Sequence, residues 1–211
     1  DADLSLAIPG VAMATFFLQG QNCMAGTRIF AHASIHDALM EGLAAFVGGM
    51  TLGHGLDFAT TQGPLISAAH TEKVMGYINR AKADGLTLVA GGEKLDRPGN
   101  FVAPTIFTGC DNAMPLMREE IFGPVMAVQK IETDDLDAIA ALANDTPYGL
   151  SGSVWTRDLS TAHRLVKRIR AGQVSINCHG AVGTNIPFGG YGQSGWGREF
   201  GQEGLDAYLE T

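Results

Sequence analysis

Apolar positions recur along the chain with two spacings. A helical run covers residues 3–18, with Asp3 placed to cap it and Pro9 placed to kink it near Ile8. The three-and-four spacing returns at residues 36–47, where Leu39, Leu43 and Phe46 share a face behind Ser34 as N-cap. It returns again at 67–83, where Val74 and Ile78 share a face before Asp84-Gly85 closes the helix. Residues 134–143, 159–169 and 199–208 read as three further helices. Short strand-like runs lie between them at 28–32, 86–90, 125–130, 150–155 and 173–177. Residues 101–107 are extended, and Pro104 marks an edge or irregular strand there. Residues 48–64 and 178–197 are loops, the second rich in glycine. Strands alternating with helices predict an α/β protein with a largely parallel sheet.

Composition narrows the class. The 211 residues are 45% apolar and 17% charged, ordinary for a globular protein and enough for one large domain or two small ones. A net charge of −8 with no basic cluster argues against nucleic acid and anionic membrane surfaces as partners. No apolar run is long enough to span a bilayer, and no secretory leader is evident. Three cysteines (Cys23, Cys110, Cys178) do not make a disulfide framework, which points to a reducing compartment and so to the cytoplasm. The first and last residues do not read as natural termini, so the expectation is a piece of a longer chain.

Cys23 is the focus of the candidate chemistry. Gly20 breaks the first helix, small residues follow the cysteine, and a strand begins after them. That order puts the thiol on a turn, where it can ionise and attack an electrophile. A lone cysteine is most often a small buried hydrophobe. Its surroundings, Gly20-Gln-Asn-Cys-Met-Ala-Gly-Thr-Arg28, resemble the catalytic-cysteine signature of the aldehyde dehydrogenase superfamily. Two further stretches resemble that family in the same order. They are Arg118-Glu-Glu-Ile-Phe-Gly-Pro124, and Asn177 through Pro187-Phe-Gly-Gly190 to Ser194-Gly-Trp-Gly-Arg-Glu199. Thr61-Gln-Gly-Pro-Leu65 and Asn144-Asp-Thr-Pro-Tyr-Gly-Leu150 also fall in family order. The last signature is closest to phenylacetaldehyde and betaine-aldehyde type members.

The resemblance implies a three-layer catalytic domain over residues 1–211. It places a Rossmann-type cofactor domain upstream and a final subunit-joining strand downstream, both outside this chain. It implies NAD(P)-dependent oxidation of a small-molecule aldehyde to an acid, through a thiohemiacetal and a thioester on Cys23, in a homodimer or homotetramer. Glu120 would accept from the nicotinamide ribose hydroxyls, Phe122 would pack beside the nicotinamide, and Lys73 would reach the ribose. Asn22, Met24, Val182 and Phe188 would contact substrate. The general base and one oxyanion donor would lie upstream, so the piece alone is expected not to turn over. A CoA-acylating enzyme and a non-catalytic structural domain on the same fold are the alternatives. An Arg198–Glu210 ion pair is expected to tie the last helix down. Gly190-Tyr-Gly-Gln-Ser-Gly195 fits the dinucleotide fingerprint but lacks its strand–helix context, so it is not read as a phosphate cradle. A turn between His32 and His36 and the isolation of Cys178-His179 argue against a metal.

Overall fold

The computed structural model describes residues 1–210. The chain forms two compact units, one of Leu4–Glu132, the other of Asp1–Asp3 with the chain from Thr133 onward. Among the described residues no helix is long and apolar enough to cross a membrane.

The larger unit carries α1 (Leu4–Phe16), β1 (Arg28–His32), α2 (Ala33–Gly48), α3 (Ala68–Ala83), β2 (Thr87–Ala90), β3 (Thr105–Thr108), the single turn α4 (Pro115–Arg118) and β4 (Val125–Ile131). Its sheet runs β1-β4-β3-β2. The β1–β4 and β3–β4 pairs are parallel and only β2–β3 is antiparallel. In β4, Val125, Met126, Ala127 and Val128 are all buried, as a strand covered on both faces requires. Phe107, Val125 and Ala127 pack with Val74, Ile78 and Ala81 of α3. Thr108 faces the other way and its hydroxyl bonds to His36 of α2 at 2.8 Å, which places α2 on the opposite side. The unit is thus layered helix–sheet–helix. β3 is an inner strand; Pro104 stands just before it, where the missing N–H costs the ladder nothing.

Three local expectations are corrected. The helix runs through Pro9 without a break, from Leu4 to Phe16. The cap of α2 is His32 rather than Ser34: its Nδ1 accepts from Ser34 N at 3.2 Å, so the helix starts three residues earlier than predicted. No turn then separates His32 from His36. The His36 ring is occupied by Asp37 at 2.7 Å and by Thr108, and His32 by its capping bonds. In α3, Ser67 is the N-cap, with Ser67 Oγ accepting from His70 N at 3.1 Å.

The second unit holds α5 (Leu136–Asn144), β5 (Ser151–Val154), α6 (Leu159–Val166), β6 (Gln173–Ile176) and α7 (Gly201–Asp206), with β5 and β6 parallel. Asp135 and Asp158 cap α5 and α6. Hydrogen bonds from Thr161 hold the Asp158 carboxyl below its ordinary pKa. Asp137 is likewise lowered by its bond with Arg168 at 2.7 Å.

Candidate active site

The segment between α1 and β1 is a loop closed at its base and turned sharply at its start. Gly26 N donates to Ala14 O at 2.9 Å, and the buried Thr15 hydroxyl donates to Gly26 O at 2.5 Å. At the start, Leu18 (φ 52°, ψ 35°) and Gln19 (φ 60°, ψ 26°) are both left-handed, followed by Gly20 at φ 67°. Each non-glycine residue in that region costs about 1–2 kcal/mol. Two glutamine side chains hold the turn. Gln19 accepts from Gly63 N at 3.0 Å and donates to Leu18 O at 3.2 Å through its carboxamide. Gln21 Oε1 accepts from Ile66 N at 3.0 Å. A Cβ on Gly20 would overlap the Gly123 carbonyl oxygen, so only glycine permits this approach.

Cys23 is exposed at the tip of this loop. Asn22 Oδ1 accepts from Met24 N at 3.1 Å and from the Cys23 thiol at 3.9 Å. The Cys23 N–H has no acceptor among the described residues. Cys110 differs from it: burial pushes that thiol up to about 11. Cys178, beyond β6, is exposed.

The acidic motif lies against the same loop through the Gly20–Gly123 contact. After α4 the backbone becomes extended at Glu119, Ile121 is buried, and Phe122 takes φ 60°. One face of α3 fastens this stretch. His70 Nε2 donates to Phe122 O at 2.6 Å, Lys73 Nζ donates to Glu120 O at 3.2 Å, and the Tyr77 hydroxyl donates to Glu119 Oε2 at 2.5 Å. Because a carbonyl only accepts, His70 carries its proton on Nε2. The His70 and Phe122 rings stand edge to face, 6.4 Å between centroids. A Cβ on Gly123 would lie 2.6 Å from Val74 Cγ2, which brings the motif hard onto α3. Glu120 is exposed, and its carboxylate has no partner among the described residues.

Cys23, Asn22, Met24, Lys73, Glu120 and Phe122 all belong to the larger unit, whereas Val182 and Phe188 belong to the other. There Phe188 is half-buried and exchanges two backbone bonds with Glu199, each 2.7 Å; Val182 is exposed in the loop before it. The glycine fingerprint is committed to the fold. Tyr191 N donates to Gly149 O, Gln193 N to Pro147 O, and Ser194 Oγ accepts from Gly149 N. The expected Arg198–Glu210 pair is absent among the described residues. Arg198 donates instead to the carbonyls of Gly190, Trp196 and Gly197 and lies over the Tyr191 ring, because the glycine-rich loop offers it acceptors nearby.

The sequence names Cys23, Glu120 and Phe122 as candidates, but it gives no supporting role to Gln19, Gln21, His70 or Tyr77, the residues that hold these segments. The Gln-Gly-Gln step before the cysteine was the one available signal.

A largely parallel α/β sheet, with an exposed cysteine on a loop whose Gly20 meets Gly123 of the Glu-Glu-Ile-Phe-Gly-Pro stretch, brings two of the three resembling motifs into one unit. The sequence matches the family model described as the aldehyde dehydrogenase family over residues 1–211, and the chain belongs to that family. It is 44% identical over 213 residues to a betaine aldehyde dehydrogenase of Rhizobium leguminosarum bv. trifolii, covering 100% of this chain and 43% of that protein. The NAD+ complex of an aldehyde dehydrogenase from Bacillus cereus superposes with a TM-score of 0.95 at 40% identity, covering 100% of this chain and 42% of that one. A betaine aldehyde dehydrogenase from Staphylococcus aureus in complex with NAD+ gives 0.94 at 41% identity, with 100% and 42% covered. The chain therefore spans less than half the length of these relatives.

Proposed function

We propose that these residues form the nucleophile-bearing catalytic domain of an NAD(P)-dependent aldehyde dehydrogenase, which oxidises a small-molecule aldehyde to a carboxylic acid. The observation that carries this reading is the exposed Cys23 thiol, held on a fixed turn whose Gly20 rests on the segment of Glu120 and Phe122. Cys23 thiolate attacks the aldehyde carbon. The unbonded Cys23 N–H is one donor for the resulting oxyanion; the second comes from outside this chain. Glu120, an acceptor without a protein partner, suits two ribose hydroxyl donors, and Phe122 offers an aromatic edge to a flat ring. The residues present thus fit the nicotinamide half of a dinucleotide. Its phosphates find no cradle in the glycine fingerprint, where the amides of Tyr191, Gln193, Ser194 and Gly195 already donate within the fold, and are assigned to an upstream cofactor domain. When bound, the nicotinamide supplies the hydride acceptor. Once oxidised, the adduct on Cys23 is a thioester, and its hydrolysis needs a base outside residues 1–211. Asn22, Met24, Val182 and Phe188 are assigned to the substrate path and Lys73 to the ribose side. Betaine-type aldehydes are the first substrates to try. A cytoplasmic homodimer or homotetramer, closed by a strand beyond this chain, completes the proposal.

The test uses the full-length protein, NAD and a panel of aldehydes, followed by NADH absorbance. Oxidation without coenzyme A, abolished by Cys23→Ser, supports the reading. Strict dependence on coenzyme A would make it an acylating enzyme. No turnover with any aldehyde, with NAD or NADP, would refute the assignment.

A further inference from the structure

Two adjacent carboxylates in the acidic motif have opposite situations. Glu119 is extended (φ −109°, ψ 150°), so its side chain and that of Glu120 leave the backbone on opposite sides. The Glu119 carboxylate accepts the Tyr77 hydroxyl at 2.5 Å, whereas the Glu120 carboxylate has no partner among the described residues. His70, Lys73 and Tyr77 are spaced three and four residues apart on α3 and so share one face. From that face they tie down the Phe122 carbonyl, the Glu120 carbonyl and the Glu119 carboxylate in turn. The helix behind them is firmly seated, with Val74 and Ile78 fully buried.

We propose that Tyr77 and Glu119 are positioning residues for the cofactor. Their bond anchors one carboxylate of the pair to α3 and thereby aims the other, Glu120, outward. The assignment rests on the dehydrogenase reading above. Lys73 and His70 fix main-chain atoms, and Tyr77 alone of the three acts through a carboxylate side chain. Without its hydroxyl, Glu119 is released next to a like charge and the backbone before Glu120 loses one of three ties. A charge-assisted bond at the surface is a modest restraint, so the expected effect is a several-fold one.

The test is NAD binding to the full-length protein by fluorescence titration, with KM for NAD, KM for aldehyde and thermal midpoint measured in parallel. Tyr77→Phe and Glu119→Ala are each expected to weaken NAD binding about three- to tenfold while aldehyde KM and the midpoint stay put. Glu119→Gln keeps an oxygen facing the tyrosine and should stay within about twofold of wild type. The double variant Tyr77→Phe/Glu119→Ala should be no weaker than the weaker single variant, as a shared bond requires. Unchanged NAD binding in both single variants, additive losses in the double, or a fall in thermal midpoint that accounts for the loss would overturn the assignment. A wild-type protein that binds neither NAD nor NADP would instead overturn the dehydrogenase reading beneath it.

Discussion

The contact of Gly20 with Gly123 decides whether the Cys23 turn is held from outside or stands by itself, and alanine at position 20 measures it. Gly20 sits at φ 67°, where an L-residue pays about 1–2 kcal/mol. An added Cβ would also overlap the Gly123 oxygen and lie 2.6 Å from Gly123 C, atoms of a buried main chain that cannot swing aside. Overpacking of that kind costs about 1–3 kcal/mol more, so Gly20→Ala should destabilise by about 2–5 kcal/mol. Gly85 is the control. It lies at φ 78° after α3, and a Cβ there meets nothing within 4 Å. Gly85→Ala therefore carries only the conformational part, about 1–2 kcal/mol. Urea unfolding reads the difference as a shift in midpoint at constant slope. Alkylation of Cys23 by iodoacetamide, timed in the native state, reads the displacement of the turn. Equal destabilisation by the two variants, within about 0.5 kcal/mol, together with an unaltered Cys23 alkylation rate in Gly20→Ala, would show that the contact holds nothing.

Two other outcomes are expected. Gly76 lies inside α3, exposed, with open space where a Cβ would go, so Gly76→Ala should stabilise by about 0.5–1 kcal/mol, read from the same urea curves. Native alkylation near neutral pH followed by peptide mapping should label Cys23 first and leave Cys110 untouched, since burial keeps the Cys110 thiol protonated up to about pH 11; early labelling of Cys110 would contradict the packed core around it.

Periodicity revealed what depends on periodicity. β1 was placed at its observed ends, and α3 and β4 to within a residue. A strand such as Val125–Ile131, buried on both faces, shows as an apolar run long before its neighbours are known. The errors fall where a single side chain or a short turn sets the boundary. The start of α2 moved because the His32 ring, not a hydroxyl, caps it. The turn α4 is four residues, too short to show a period. The Arg198–Glu210 pair rested on the resemblance and on opposite charges in one segment, and the loop carbonyls beside Arg198 won. At the site the chemistry-bearing residues are named by composition around them, whereas their supports are not. Tyr77 meets Glu119 across 42 residues of sequence, and Gln21 meets Ile66 across 45. No local pattern encodes such distances.

The backbone itself marks the same segments. Leu18, Gln19, Phe122, Asn177 and Phe200 are the non-glycine residues with positive φ among those described. Two open the Cys23 loop, one lies in the acidic motif, and two bracket the glycine-rich loop. Strained conformations of this kind persist only where the surroundings over-determine them. The restraints are visible at each place. The Gln19 amide is fixed to Gly63, and His70 holds the Phe122 carbonyl. Asn177 bonds Thr156 twice through its side chain, at 3.0 and 2.9 Å. A chain selected for stability alone would place glycine or a relaxed turn at these positions. Their cost is consistent with segments whose direction matters more than their local stability, and it falls on the three stretches that the family resemblance picks out independently.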